Sequence, residues 1–224
     1  MEESKRLTID ETMLQGDSLE RLKDWITFYR NNIHRFVEGY MGIELYLYQK
    51  IWIYLISIST RFLGIAARAS AKSWLIGVYV CSKSILWPGT KVSINSSTKT
   101  QAGLIISSKI QDLYDNYPNV RREISNITTN ANKWQVDFYN GSFIQVIVSG
   151  EAGRGSRSTI NILEERRLIP SEVIDSIIRP FLVARTAPYM SIPEYSKIPK
   201  EEPQEIIITS SHYKSGEWYS EAMG

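Results

Sequence analysis

Residues 62–73 run from an apolar stretch (Phe62, Leu63, Gly64, Ile65) through a loop of small residues to Lys72 and Ser73. The layout is strand, tight loop, helix. Phosphate oxygens need backbone N–H donors aimed inward, and the first turn of a helix supplies them. Here Ala66, Ala67, Arg68, Ala69, Ser70 and Ala71 form the loop. Lys72 is placed to reach β- and γ-phosphates, and the Ser73 hydroxyl to hold Mg²⁺. The spacing fits the phosphate-loop template, but alanine occupies both template glycine positions, Ala66 and Ala71. Glycine is usual there because the backbone must approach closely and accept unusual φ. Alanine is the least costly replacement. The competing reading is a plain strand–helix junction with a surface lysine.

A second segment supplies acids. Thr159, Ile160, Asn161, Ile162 and Leu163 form a buried-strand run that ends in Glu164 and Glu165. In a phosphate-loop enzyme one such carboxylate serves the Mg²⁺ shell and the next polarises the attacking water. Glu164 takes the first role here and Glu165 the second, although aspartate is usual on the metal side. An acidic helix cap after a buried strand is the plainer alternative. Just upstream, Arg154 and Arg157 sit in a glycine-containing cationic loop. An arginine fork near a γ-phosphate stabilises the charge that spreads in phosphoryl transfer, and in a ring it can come from the neighbouring subunit. Alone, that loop reads better as a solvated basic segment or as salt-bridge partners of Glu164 and Glu165. Arg68 is a second candidate.

These segments need elements to hold them. Apolar spacing predicts a helix over 19–40, a second over 45–59, a strand over 61–66 and a helix over 73–85. A short strand over 91–95 precedes a Ser/Thr cluster and a helix over 99–116. Residues 134–139 and 142–148 alternate around Asn140-Gly141, a strong hairpin signal. Further signals mark a strand over 159–163, a helix from Pro170 to about 182, a proline-rich loop over 188–203 and a last strand over 205–209. Strands alternating with helices imply a mostly parallel sheet covered on both faces. Ligands of such sheets bind at the carboxyl ends of strands, which would bring both segments to one edge.

Composition narrows the classes. The chain has 224 residues, with 43% hydrophobic and 22% charged residues, close to the globular average. The longest nearly unbroken apolar run, 51–58, is far short of a membrane span, and the polar N-terminus does not read as a signal peptide. One cysteine, Cys81, excludes a disulfide framework and a cysteine-based zinc site, and two histidines argue against a His-rich metal centre. An intracellular, soluble domain is the expectation. A net charge of +2 is not the broad positive field of a protein that binds DNA by bulk charge. Lys91, Lys99, Lys109, Arg121, Arg122 and Lys133 read as a scattered, solvated face.

Taken in order, Leu45-Tyr46-Leu47-Tyr48-Gln49, the 66–73 loop with its internal Arg68, Gly153–Arg157, the strand ending in Glu164-Glu165, and Ile208-Thr209-Ser210-Ser211 resemble the ATPase domain of the large terminase subunit, the DNA-packaging motor of tailed bacteriophages. The resemblance covers roughly 40–224. It implies an α/β P-loop NTPase with a mostly parallel sheet flanked by helices, preceded by a helical N-terminal segment. The domains would be an arm and helix over 1–40 and an ATPase over 41–224. It implies Gln49 as the adenine reader, whose carboxamide pairs donor and acceptor with the base. It implies Lys72 and Ser73 on phosphates and Mg²⁺ (Walker A), Glu164 and Glu165 as the acidic pair (Walker B), and Thr209, Ser210 and Ser211 as the motif coupling hydrolysis to movement. Arg154 or Arg157 would be the finger acting in trans.

The implied cofactors are ATP and Mg²⁺. The implied partners are double-stranded DNA, a portal protein, a small terminase subunit and further copies of the chain in a ring, without a membrane. The implied location is the cytoplasm of an infected bacterium. The family's nuclease half has no counterpart in these residues, so no cleavage activity is expected. Ala71, Glu164 and Arg166 depart from the family pattern. Two other readings stay open: a helicase-like P-loop motor, and a weakly hydrolysing nucleotide-binding assembly module.

Overall fold

The computed structural model describes residues 16–67, 69–130, 133–147, 157–184 and 202–210. The helix expected over 19–40 is two, α1 (Gly16–Asn31) and α2 (Ile33–Gly39). They part at Asn32, whose backbone is non-helical and whose side-chain amide donates to Phe28 O at 2.9 Å. Such side-chain bonds offer the backbone an alternative to the helix ladder. α3 (Leu47–Ile58), β1 (Arg61–Ala66), α4 (Lys72–Leu86) and β2 (Lys91–Asn95) follow the sequence pattern closely.

The helix expected over 99–116 is α5 (Lys99–Leu104), a π-helical stretch Ile105–Ile110, and α6 (Gln111–Asn116). Two elements the pattern did not signal come next, α7 (Pro118–Glu123) and β3 (Ile124–Thr129). The hairpin is β4 (Trp134–Phe138) and β5 (Phe143–Val146), turned by Gly141 at φ 81°. β6 (Ile160–Glu164) leads into α8 (Ser171–Val173), a π-helical turn Ile174–Ile178 and a 3-10 turn Arg179–Phe181, in place of one regular helix. β7 (Gln204–Ser210) is buried along its whole length.

The seven strands form one sheet in the order β1-β7-β6-β2-β5-β4-β3. The five strands β1, β7, β6, β2 and β5 are parallel, and β4 and β3 extend the edge as an antiparallel meander. Alternate residues of the central strands face opposite layers. Ile206 and Ile208 join the large core with α2, α3, α4 and the Ile105–Ile110 stretch, while Ile207 joins Leu163, Ile169, Ile174 and Ile178 on the other face. Ile33, Phe36 and Val37 of α2 belong to that large core.

The topology matters most at one edge. β7 is the last described strand in sequence, yet it lies between β1 and β6. Ala66 pairs with Ser210, and Glu164 with Ile208. Three carboxyl ends far apart in the chain are therefore neighbours.

Candidate active site

The loop after β1 is shaped by backbone strain. Ala69 (φ 63°) and Ala71 (φ 56°) are left-handed, as is Glu165 (φ 50°) after β6. These three are the non-glycine residues with positive φ among the described ones, and all sit at the same sheet edge. Left-handed backbone costs an L-residue roughly 1–2 kcal/mol, and such strain persists only where surrounding structure enforces it. Ala66, by contrast, ends β1 in regular strand pairing, so alanine at the first template position is unstrained. Ser70 closes the loop by donating its hydroxyl to Ala67 O at 2.8 Å. Ala71 then caps α4 without a side-chain acceptor, so the first-turn N–H groups receive no bond from their cap residue.

Lys72 and Ser73 open α4 and face the acids. Lys72 Nζ lies 3.5 Å from Glu165 Oε1. The Ser73 hydroxyl donates to Glu164 Oε1 at 2.6 Å. From β7, Ser210 donates its hydroxyl to Glu165 Oε1 at 2.5 Å and its backbone N–H to Oε2 at 3.3 Å. Thr209 is fully buried beside it. The left-handed backbone of Glu165 turns its carboxylate back toward α4 and β7. Arg166, an unusual successor to the acidic pair, is buried and braces that turn: it donates to Ile169 O and to Ser171 Oγ, both at 2.7 Å.

Burial pushes the Glu164 carboxyl above the ordinary glutamate range. The Ser73 hydrogen bond opposes this, the Glu165 charge adds to it, and Lys72 and Lys109 oppose it. A cavity of about 230 Å³ opens over these groups, lined by Ser73, Ser96, Gln101, Lys109, Glu164 and Glu165. A second cavity, about 150 Å³, lies by Thr90, Thr159 and Gln204 at the amino ends of the strands, remote from the acid pair.

The Ser73 hydroxyl and Glu164 carboxylate are hard oxygen donors in direct contact. That donor set fits Mg²⁺, which takes one or two protein oxygens and leaves its other positions to phosphate and water. Among the described residues no group of three or more His, Cys, Asp or Glu side chains could hold a metal unaided.

Other expected residues are not gathered here. Gln49 is buried at the first turn of α3, where its Oε1 accepts the Tyr46 N–H at 2.9 Å, and it does not line the cavity. Arg157 is exposed and precedes β6, at the opposite end of that strand from Glu164. Arg68, Arg154 and Ser211 lie outside the described residues. Sequence reasoning also left out three polar lining residues. Ser96 opens the Ser/Thr cluster after β2, and Gln101 lies in α5; the sequence pattern singled out neither as a site residue. Lys109, grouped with the solvated basics, is half-buried and lines the cavity.

No family model matches the chain, and no curated protein matches it in sequence. Solved structures do match. The large terminase ATPase domain of Thermus phage P74-26 superposes with a TM-score of 0.55 at 19% identity, over 82% of this chain and 71% of that one. The large terminase of bacteriophage HK97 gives 0.61 at 14%, over 87% of this chain and 41% of that one. The large terminase of a thermophilic bacteriophage gives 0.54 at 7%, over 74% of this chain and 37% of that one. The chain thus has the P-loop NTPase fold of large terminase ATPase domains, as the motif resemblance implied, and it spans less than half of the last two chains.

Proposed function

We propose that this chain is the ATP-hydrolysing motor domain of a viral large terminase, which moves double-stranded DNA into a procapsid. One observation carries the reading. Lys72, Glu165 and Ser210 converge from three separate elements at the carboxyl edge of the sheet, in the fold of terminase ATPase domains.

Each group has a task in this reading. The uncapped first turn of α4 and the Lys72 ammonium bind the phosphates of ATP. Ser73 and Glu164 would hold Mg²⁺, which neutralises phosphate charge when bound. Glu165 orients and deprotonates the attacking water. Its carboxylate is engaged by Lys72 and Ser210, so it becomes available as Lys72 turns to phosphate. Ser210, with Thr209, reports the change in Glu165 along β7, which supports a coupling role. Gln49 at the head of α3 would read adenine. Arg157 stands away from its own chain's site, so a finger role, for it or for Arg154, would be played in a neighbouring subunit.

The working form would be a homo-oligomeric ring on a portal protein, supplied with DNA through a small terminase subunit in the infected cell's cytoplasm. Phosphate release from ATP, measured with and without double-stranded DNA, tests the reading. Wild type should turn over ATP and Lys72→Ala should not. Equal turnover by both would refute it, and stimulation only by single strands would favour a helicase-like motor.

A further inference from the structure

We infer that Lys109 is a second phosphate-binding cation of the nucleotide site, delivered from the far side of the cavity by the π-helical stretch Ile105–Ile110, where it meets the terminal phosphate of a nucleoside triphosphate. The inference rests on the proposed nucleotide site and adds a residue to it.

Several observations converge. Lys109 lines the same cavity as Ser73, Glu164 and Glu165, approaching from the helix after β2 rather than from α4. Its side chain is half-buried, not splayed into solvent. Among the described residues its ammonium has no carboxylate within 4.0 Å, whereas Lys72 has Glu165 at 3.5 Å. A half-buried lysine whose charge acts on Glu164 but which contacts neither carboxylate within 4.0 Å is placed for an anion that arrives later.

Packing fixes the approach. The Lys109 stem lies over Gly77, one turn beyond Ser73 on α4: a β-carbon built at Gly77 would stand 3.4 Å from Lys109 Cβ. The π-helical winding shifts the register of the residues after Leu104. Ile105, Ile106 and Ile110 remain in the core while Lys109 turns to the cavity rim. Single π turns recur at functional sites for this reason. The charge balance agrees. A triphosphate with Mg²⁺ remains anionic beside Glu164 and Glu165, and Lys72 is one compensating cation from this chain. Lys109 supplies another without a neighbouring subunit.

A cation at the terminal phosphate should discriminate triphosphate from diphosphate. Full-length Lys109→Met keeps the packed stem and removes the charge. Displacement of a fluorescent ADP by ATPγS and by ADP, with Mg²⁺ present, reads both affinities. The expected result is a loss of about tenfold or more for ATPγS, with ADP within twofold of wild type and an unchanged melting temperature, and partial recovery in Lys109→Arg. Unchanged ATPγS affinity would overturn the inference. So would equal loss for both nucleotides, which signals a deformed pocket. Wild type that binds neither nucleotide would overturn the underlying site as well, an outcome recognisable before any variant is made.

Discussion

Ser210, the last residue of β7, holds both oxygens of Glu165, the residue after β6: its hydroxyl meets Oε1 at 2.5 Å and its N–H meets Oε2 at 3.3 Å. β7, held between β1 and β6, thereby ends on the carboxylate that would activate water. Removing the carboxylate's charge and removing its anchor should have separable effects. Glu165→Gln should keep ATP affinity and lose about 10²–10⁴-fold in turnover, the usual worth of a positioned base. Ser210→Ala should cost turnover about 10–10²-fold with affinity within twofold, because a hydrogen bond to a charged group contributes about 1.5–3 kcal/mol. Single-turnover hydrolysis and nucleotide displacement measure the two quantities. Equal loss of affinity in both variants would instead place Glu165 in ground-state binding.

Ala71 is left-handed at the position where the loop template has glycine. Ala71→Gly should therefore raise stability in urea by about 1 kcal/mol, relief of strain exceeding the entropy that glycine adds to the unfolded chain. Ala66→Gly, in regular strand geometry, should lower it. A matching loss at both positions would show that position 71 does not hold a positive φ.

Glu164 contributes to the pH dependence of stability. Burial raises its folded pKa above the unfolded value, so the folded state binds more protons. Its contribution to stability is best below the unfolded carboxylate range and declines as pH rises through the raised folded value. Glu164→Gln keeps an acceptor for Ser73 and removes the buried charge. It should raise the melting temperature at pH 7, with the advantage shrinking as the pH is lowered, while Mg²⁺-dependent turnover is lost. Thermal unfolding of both proteins from pH 4 to 8 checks the sign; a variant less stable than wild type at pH 7 contradicts it.

Gly103 of α5 lies against the ring of Trp134 on β4: a β-carbon there would come within 2.7 Å of the indole. Gly103→Ala should destabilise the protein by about 1–3 kcal/mol through overpacking. The same change pushes α5 and the following π-helical stretch off the sheet, so ATPγS affinity should fall with it if Lys109 depends on that stretch. Urea melts and the displacement assay separate the two effects.

Much of the molecule was legible in one dimension because its signals are local. Lys72 and Ser73 at a strand–helix junction, Glu164 and Glu165 after an apolar run, and Asn140-Gly141 in the hairpin each depend on a few consecutive residues. β3 escaped because Ile124–Thr129 is a short edge strand with polar residues on an open face, and an edge needs no strong pattern. The departures at Asn32 and in the two π-helical stretches arise where side-chain bonds and packing outweigh regular periodicity.

Residue order alone thus determined the types of group available for phosphate chemistry and the strands that carry them. It implied that the phosphate loop and the acids share one sheet edge, but not which strand lies between them. Only the tertiary structure decided that β7 threads between β1 and β6, that Ser210 joins Lys72 in holding Glu165, that strain falls on Ala69 and Ala71 rather than Ala66, and that Lys109 turns inward while Arg157 stands at the opposite end of β6. The reason is physical: strand order and helix register are set by burying both faces of one sheet at once, a condition on the whole chain that no short window of residues contains.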